Sequence, residues 1–287
     1  MVHRMIKGMV RELSWFITFI LLALVAAPVT AQQPASGPAA APASDCAELP
    51  ALKERVKRAE TRLSDWAQLG RYREDNARVL AQAAHDPHRV VFMGDSITDG
   101  WASRPALSGG FFPGKPYVDR GIDGQKTGQM VVRFRQDVIE LSPAVVVILA
   151  GTNDIVDNKD MGFLKTVEDN LATMAELACA HHIRVVFASL LPVSDYGVNR
   201  EGKPINQTKR RSAAQISGIN DWLKEFTRRE GFVYIDYYSS MIDANGVLQK
   251  GISFDGLHPN AKGYAIMAPL VEEAIARSLK SKPRCGR

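Results

Sequence analysis

From position 89 onward, two rhythms of apolar residues alternate along the chain. Val90-Val91-Phe92-Met93 and Ala144-Val145-Val146-Val147-Ile148-Leu149-Ala150 are apolar at every position. A strand tolerates this only when both of its faces are covered. Elsewhere apolar residues recur at steps of three and four, the mark of a one-sided helix. Met130, Val131, Phe134, Val138 and Leu141 make one such face, stopped by Pro143. Leu164, Val167, Leu171, Met174 and Ala178 make a second; Ile216, Ile219, Leu223 and Phe226 make a third. The pattern predicts strands over 89–93, 117–120, 144–150, 184–188 and 232–235. A closing helix is expected over Ala261–Leu279, broken or kinked at Pro269. Alternating strands and helices imply an α/β fold of three layers, α/β/α, with a five-stranded, mostly parallel sheet in the middle. Such sheets bind ligands at the carboxyl ends of their strands.

The first 88 residues read differently. Arg4, Lys7 and Arg11 precede an apolar run from Trp15 to Ala27, and Val29-Thr30-Ala31 offers a small-residue cut site. The run is shorter than the roughly 20 residues a membrane span needs. Residues 1–31 therefore read as a signal peptide, with a secreted or periplasmic mature chain and no stable membrane span after cleavage. The Ala/Pro/Ser/Gly-rich stretch Gln32–Ser44 predicts a flexible linker over 32–46. A helical extension is expected over 47–88. It starts at Pro50 and runs to Ala84 with a weak point at Gly70. Leu52, Val56, Ala59, Leu63 and Trp66 form its apolar stripe, read first as packing against the main domain at 89–287, with the Trp and Tyr residues lining a site as the second reading.

Charge and cysteine content narrow the partners. Net charge is +5, and removal of residues 1–31 lowers it to +3. The densest basic cluster, Lys209-Arg210-Arg211, reads as a solvated loop or helix start, so nucleic acid is not an expected partner. Cys179 reads as a buried thiol, and Cys46 and Cys285 as a pair tying the termini together. Cys-His spacing for zinc is absent from the sequence, and no metal or cofactor is expected.

Polar residues gather after the predicted strands. Ser96 follows strand one in Gly94-Asp95-Ser96. A serine there can simply cap a helix, or act as a nucleophile beside outward-pointing N–H groups. Gly121-Ile122-Asp123-Gly124 follows strand two, and Gly151-Thr152-Asn153-Asp154 follows strand three. Asp255-Gly256-Leu257-His258 lies just before the closing helix. Nucleophile, base, orienting acid and oxyanion donors are the needs of a serine hydrolase. They are met by Ser96, His258 and Asp255, with the Ser96 N–H, the Gly124 N–H and the Asn153 amide as donors. Gly121 competes with Gly124 for its role. Asp95 and Asp154 read as carboxylates that hold loops through backbone N–H groups. The long segment Leu191–Ser212, poor in apolar residues, should overhang the same edge and shape substrate choice. Trp101, Phe111, Phe112 and Pro113 read first as packing and second as a substrate wall.

In this order, the four blocks resemble those of the SGNH (GDSL-type) hydrolase superfamily over about residues 89–280. Ser96 falls at the nucleophile, Gly124 at the oxyanion glycine, Asn153 at the oxyanion asparagine, and Asp255 and His258 at the acid and base. The second block departs from the family: Gln125-Lys126-Thr127 stands where members often carry Asp-Thr. The resemblance implies a flavodoxin-like fold, metal-free ester hydrolysis and an acyl-enzyme on Ser96. It is closest to the branch similar to platelet-activating-factor acetylhydrolase and to bacterial esterases of acetylated sugars. The expected substrate is a short-chain, foremost acetyl, ester on a small molecule or glycan. A lipid ester or thioester, or a glycan-binding module without turnover, is the alternative.

Overall fold

The computed structural model describes residues 44–82, 86–158, 160–198 and 202–280, without the side chains of 44–48, 61 and 62. The predicted signal peptide, most of the linker and the Cys46–Cys285 pairing lie outside the described residues. The chain divides after Glu54 into two units. Of the first, residues 44–54 are described, and they are helical.

The elements in chain order are α1 (Ser44–Ser64), α2 (Arg73–Gln82), β1 (Val90–Gly94), α3 (Ser96–Ser103), α4 (Pro105–Ser108), β2 (Tyr117–Gly121) and α5 (Thr127–Phe134). They continue with β3 (Val145–Leu149), α6 (Leu164–Ala180), β4 (Arg184–Ala188), α7 (Gln207–Arg210), α8 (Ala213–Glu230), β5 (Val233–Ile235), α9 (Tyr237–Met241) and α10 (Ala261–Lys280). All five expected strands form, within a residue of their expected bounds. They pair in parallel in the order β2-β1-β3-β4-β5. That is the doubly wound, flavodoxin-like order, whose switch point lies between β1 and β3. Every residue of β1 and β3 is buried. The predicted faces of α6 and α8 are buried too. A single turn of π-helix, Arg135–Ile139, extends α5, so Val138 and Leu141 reach the core as predicted. Pro269 lies inside α10. Trp101 stacks on Tyr264 at 4.8 Å between centroids and meets Phe111 and Phe112, which bears out their packing role.

The N-terminal region departs from expectation in three ways. Pro50 lies inside α1 rather than at its start. The predicted single helix is two, because the Asp65 carboxylate accepts from the N–H groups of Leu69 (2.7 Å) and Gly70 (3.0 Å) and holds a turn there. Within the second unit the apolar stripe is exposed rather than packed: Val56, Leu63 and Trp66 are 49–76% accessible. Cys179 is half-buried rather than buried. Among the described residues, no helix is long and apolar enough to cross a membrane.

Register positions the loops that matter. Gly94 of β1 lies level with Gly121 of β2 and with Leu149 of β3. The three strands therefore end together, and Ser96, Gly124 and Asn153 leave from one edge. Gly121 cannot be another residue without a shift: a Cβ there would sit 2.0 Å from the Asp99 nitrogen, so α3 lies directly on the end of β2.

Candidate active site

Ser96 is the first residue of α3, buried at the switch point. It does not cap that helix. Asp95 does, its carboxylate accepting from the Ile97 N–H at 2.9 Å. The Ser96 hydroxyl is thus spared for another partner, and its N–H stands at a helix start, where no intrahelical acceptor exists. Burial pushes the Asp95 carboxyl up to about 6, against the pull of the Ile97 N–H, His258 and Arg211.

The partner of Ser96 arrives from the other end of the sequence. His258 Nε2 lies 2.9 Å from Ser96 Oγ, and His258 Nδ1 lies 2.7 Å from Asp255 Oδ2. A tight turn makes the second contact possible. Asp255 Oδ1 accepts from the N–H groups of Leu257 (3.1 Å) and His258 (2.9 Å), and Phe254 N–H donates to the His258 carbonyl at 3.1 Å. Burial raises the Asp255 carboxyl, but the His258 ring and the two N–H donors outweigh it and hold the group at about 2. An ionised Asp255 fixes Nδ1 as the protonated ring nitrogen and leaves Nε2 as the acceptor facing Ser96. Gly256 permits the turn, with φ of 75° and only 1.9 Å between an added Cβ and the Ser194 carbonyl oxygen.

Gly124 and Asn153 stand on neighbouring loops. Asn153 donates to the Gln125 carbonyl at 3.1 Å, joining the loop after β3 to the one after β2. That bond uses one of the two amide hydrogens. Asp154 has the loop-holding role expected of it, accepting from the Thr127 N–H (3.1 Å) and hydroxyl (2.7 Å). The departing Gln125 is buried, and its amide donates to the Ala67 carbonyl at 2.9 Å.

A serine oxygen facing an imidazole that is held by a carboxylate can attack an acyl carbon. The GDSL-like lipase/acylhydrolase family matches residues 92–266. This chain belongs to that family. The acylhydrolase is similar to a GDSL-like lipase from Bacteroides thetaiotaomicron VPI-5482, 35% identical with a TM-score of 0.61 over 74% of this chain and 98% of the other. It is also similar to an acetylxylan esterase from Geobacillus stearothermophilus, 24% identical over 205 residues, 63% of this chain and 90% of the relative. The uncharacterized lipoprotein YqeF of Bacillus subtilis (strain 168) is 23% identical over 168 residues, 52% of this chain and 69% of its own. The family makes the chain a carboxylic ester hydrolase.

Two parts of the candidate site escape a reading by pattern. The 191–212 segment is not a simple polar overhang. Leu191 to Ser194 are buried, and the Ser194 N–H donates to the Gly256 carbonyl at 2.9 Å. Arg211 is buried rather than solvated. Its Nε donates to the Thr152 carbonyl at 3.2 Å, and Nη1 bonds the Gln207 side chain, whose amide donates to the Asp255 carbonyl at 3.1 Å. The segment thus braces the Asp255 turn against the Asn153 loop. Beneath the opposite side lies Arg133, fully buried. It donates to the carbonyls of Gly94 (3.0 Å) and Arg120 (2.8 Å) and pairs with buried Asp137 at 3.1 Å. A charged residue on a helix gives no local sign of such a place, since its acceptors come from strands 13 and 39 residues away.

Proposed function

We propose that this chain is an exported serine esterase that removes short acyl groups, acetyl foremost, from carbohydrate through an acyl-enzyme on Ser96. The hydrogen-bonded chain Ser96–His258–Asp255, at 2.9 and 2.7 Å, carries the reading. His258 Nε2 takes the hydroxyl proton as Ser96 Oγ bonds to the ester carbonyl carbon. The oxyanion formed is met by the Ser96 N–H, the Gly124 N–H and the free hydrogen of the Asn153 amide. Collapse breaks the bond to the alcohol oxygen, which leaves with the proton from His258. Water then repeats the sequence on the acyl-enzyme and releases the acid. Asp255, ionised above about pH 2, stabilises the imidazolium in both halves.

Support for an acetylated carbohydrate comes from the acetylxylan esterase relative, and support for export from the pattern of residues 1–31. The test is turnover of p-nitrophenyl acetate, butyrate and octanoate beside Ser96→Ala. Acetate should be cleaved fastest, and Ser96→Ala should lose several orders of magnitude. Preference for octanoate would transfer the reading to lipid esters. Equal rates for wild type and Ser96→Ala would remove Ser96 as nucleophile.

A further inference from the structure

Beside Gly124 lies a cleft of about 640 Å³. It is within the range of ordinary small-ligand sites, roughly 300–1,000 Å³. One wall is Ile122, Asp123 and Gly124, from the loop after β2; the other is the turn between α1 and α2, with Asp65, Trp66 and Arg71. We infer that this turn builds the subsite for the alcohol half of the substrate, with the Trp66 indole as a platform for an uncharged sugar ring. The inference rests on the esterase reading above and adds where the sugar sits and which residues choose it.

The turn is built in place. Gln125 donates to the Ala67 carbonyl (2.9 Å), Gln129 to the Trp66 carbonyl (2.7 Å) and Gln136 to the Leu69 carbonyl (2.7 Å). The Tyr72 hydroxyl bonds the Gly121 carbonyl. One glutamine from the loop that carries Gly124, two from α5 and its π-helical extension, and the bond from Tyr72 to the end of β2 thus fasten the turn in place. The first of them, Gln125, is where the second block departs from its family. Trp66 itself is 53% exposed although its backbone is pinned, and its ring edge comes within 3.7 Å of where a side chain would begin at Gly128. Gly124 lines the cleft, and nothing lies within 4 Å of where its Cβ would be, so the cleft is unobstructed at the residue proposed as an oxyanion donor.

The rim selects by charge. Asp65, Asp99 and Asp123 face one guanidinium, Arg71, which already pairs with Asp99 at 3.5 Å. The N–H groups of Gly70 and Leu69 hold the Asp65 carboxyl below its ordinary value, so it is ionised at any working pH. An acidic rim repels the phosphate of a lipid head group or of a nucleotide thioester. It welcomes hydroxyl hydrogens, for which the carboxylates are acceptors. An indole face flanked by such acceptors suits the C–H face and hydroxyl edge of a pyranose.

The measurement is steady-state kinetics of the wild-type protein, Trp66→Ala and Trp66→Phe on acetylated xylotriose, p-nitrophenyl acetate and acetylcholine. On acetylated xylotriose, Trp66→Ala should raise KM about tenfold with kcat held within about threefold, and Trp66→Phe should restore most of the loss. The loss of kcat/KM on p-nitrophenyl acetate should be at least fivefold smaller. Calorimetric titration of Ser96→Ala with unacetylated xylotriose should show binding that Ser96→Ala/Trp66→Ala lacks, a readout that needs no turnover. Equal losses on the sugar and p-nitrophenyl esters, or none on the sugar, would overturn the subsite and leave the esterase standing. A preference for acetylcholine that depends on Trp66 would overturn it in favour of a cationic alcohol. Wild-type protein inert on all three esters would overturn the esterase reading itself.

Discussion

Arg133→Met should unfold the protein far more readily than its place on a helix would suggest. The arginine and its partner Asp137 are both wholly inaccessible. Methionine fills much of the volume but makes none of the bonds. It strands the Asp137 carboxylate, left with the Asn76 amide at 2.8 Å, and the Gln125 side-chain oxygen, and it takes one donor from the carbonyls of Arg120 and of Gly94, the latter keeping the Ile122 N–H at 3.1 Å. Breaking a buried ion pair from one side costs about 3–5 kcal/mol. Orphaned acceptors each cost about 1–3 kcal/mol when nothing relaxes, though such terms do not add fully. A loss of about 4–6 kcal/mol follows, or roughly 10–20 °C in Tm for a domain of this size. Arg133→Met/Asp137→Leu removes the stranded charge as well, and should recover at least about 2 kcal/mol of that loss. Urea unfolding followed by circular dichroism reads both values. A single variant within about 1 kcal/mol of wild type would refute the reasoning, as would a double variant no better than the single.

Two further changes test the turns around the site. Asp95→Asn keeps an acceptor for the Ile97 N–H but cannot ionise. Burial raises the Asp95 carboxyl from 3.8 to about 6, so its favourable contribution is full below about pH 4 and lost as pH rises through 6. The variant should match wild type at pH 4 and exceed it by up to about 3 kcal/mol at pH 8, read from urea midpoints; a constant offset at both pH values would contradict this. Gly256→Ala meets the Ser194 carbonyl oxygen, whereas Gly246→Ala has the same sign of φ, 73°, in open space. The first should cut kcat on p-nitrophenyl acetate at least tenfold and the second should cost only about 1 kcal/mol of stability; equal effects would show that the fit against Ser194 is unimportant.

The fold was legible where burial leaves a local trace. Strands covered on both faces are apolar throughout, as in Val145–Leu149, and amphipathic helices keep their period, as from Leu164 to Ala178. The contact of Ser96 with His258 was legible for a different reason: a parallel sheet sends its loops to one edge, and Asp255 lies one turn from His258. Arg133, Arg120 and Arg211 were not legible. Each is buried by acceptors that only the folded register assembles, so pattern alone sends them to the surface. Trp66 failed in the opposite sense. Its helical spacing fits a buried stripe, but the stripe ends at the Asp65 turn, and Trp66 is half exposed and lines a cleft.

The most direct test of the central claim is covalent. A serine-directed phosphonate should add once per chain, and peptide mass mapping should place the adduct on Ser96. Ser96→Ala should take none, and His258→Ala should label far more slowly, because Nε2, 2.9 Å from the hydroxyl oxygen, is its proposed proton acceptor. An active protein that takes no label, or takes it on another residue, would contradict the account.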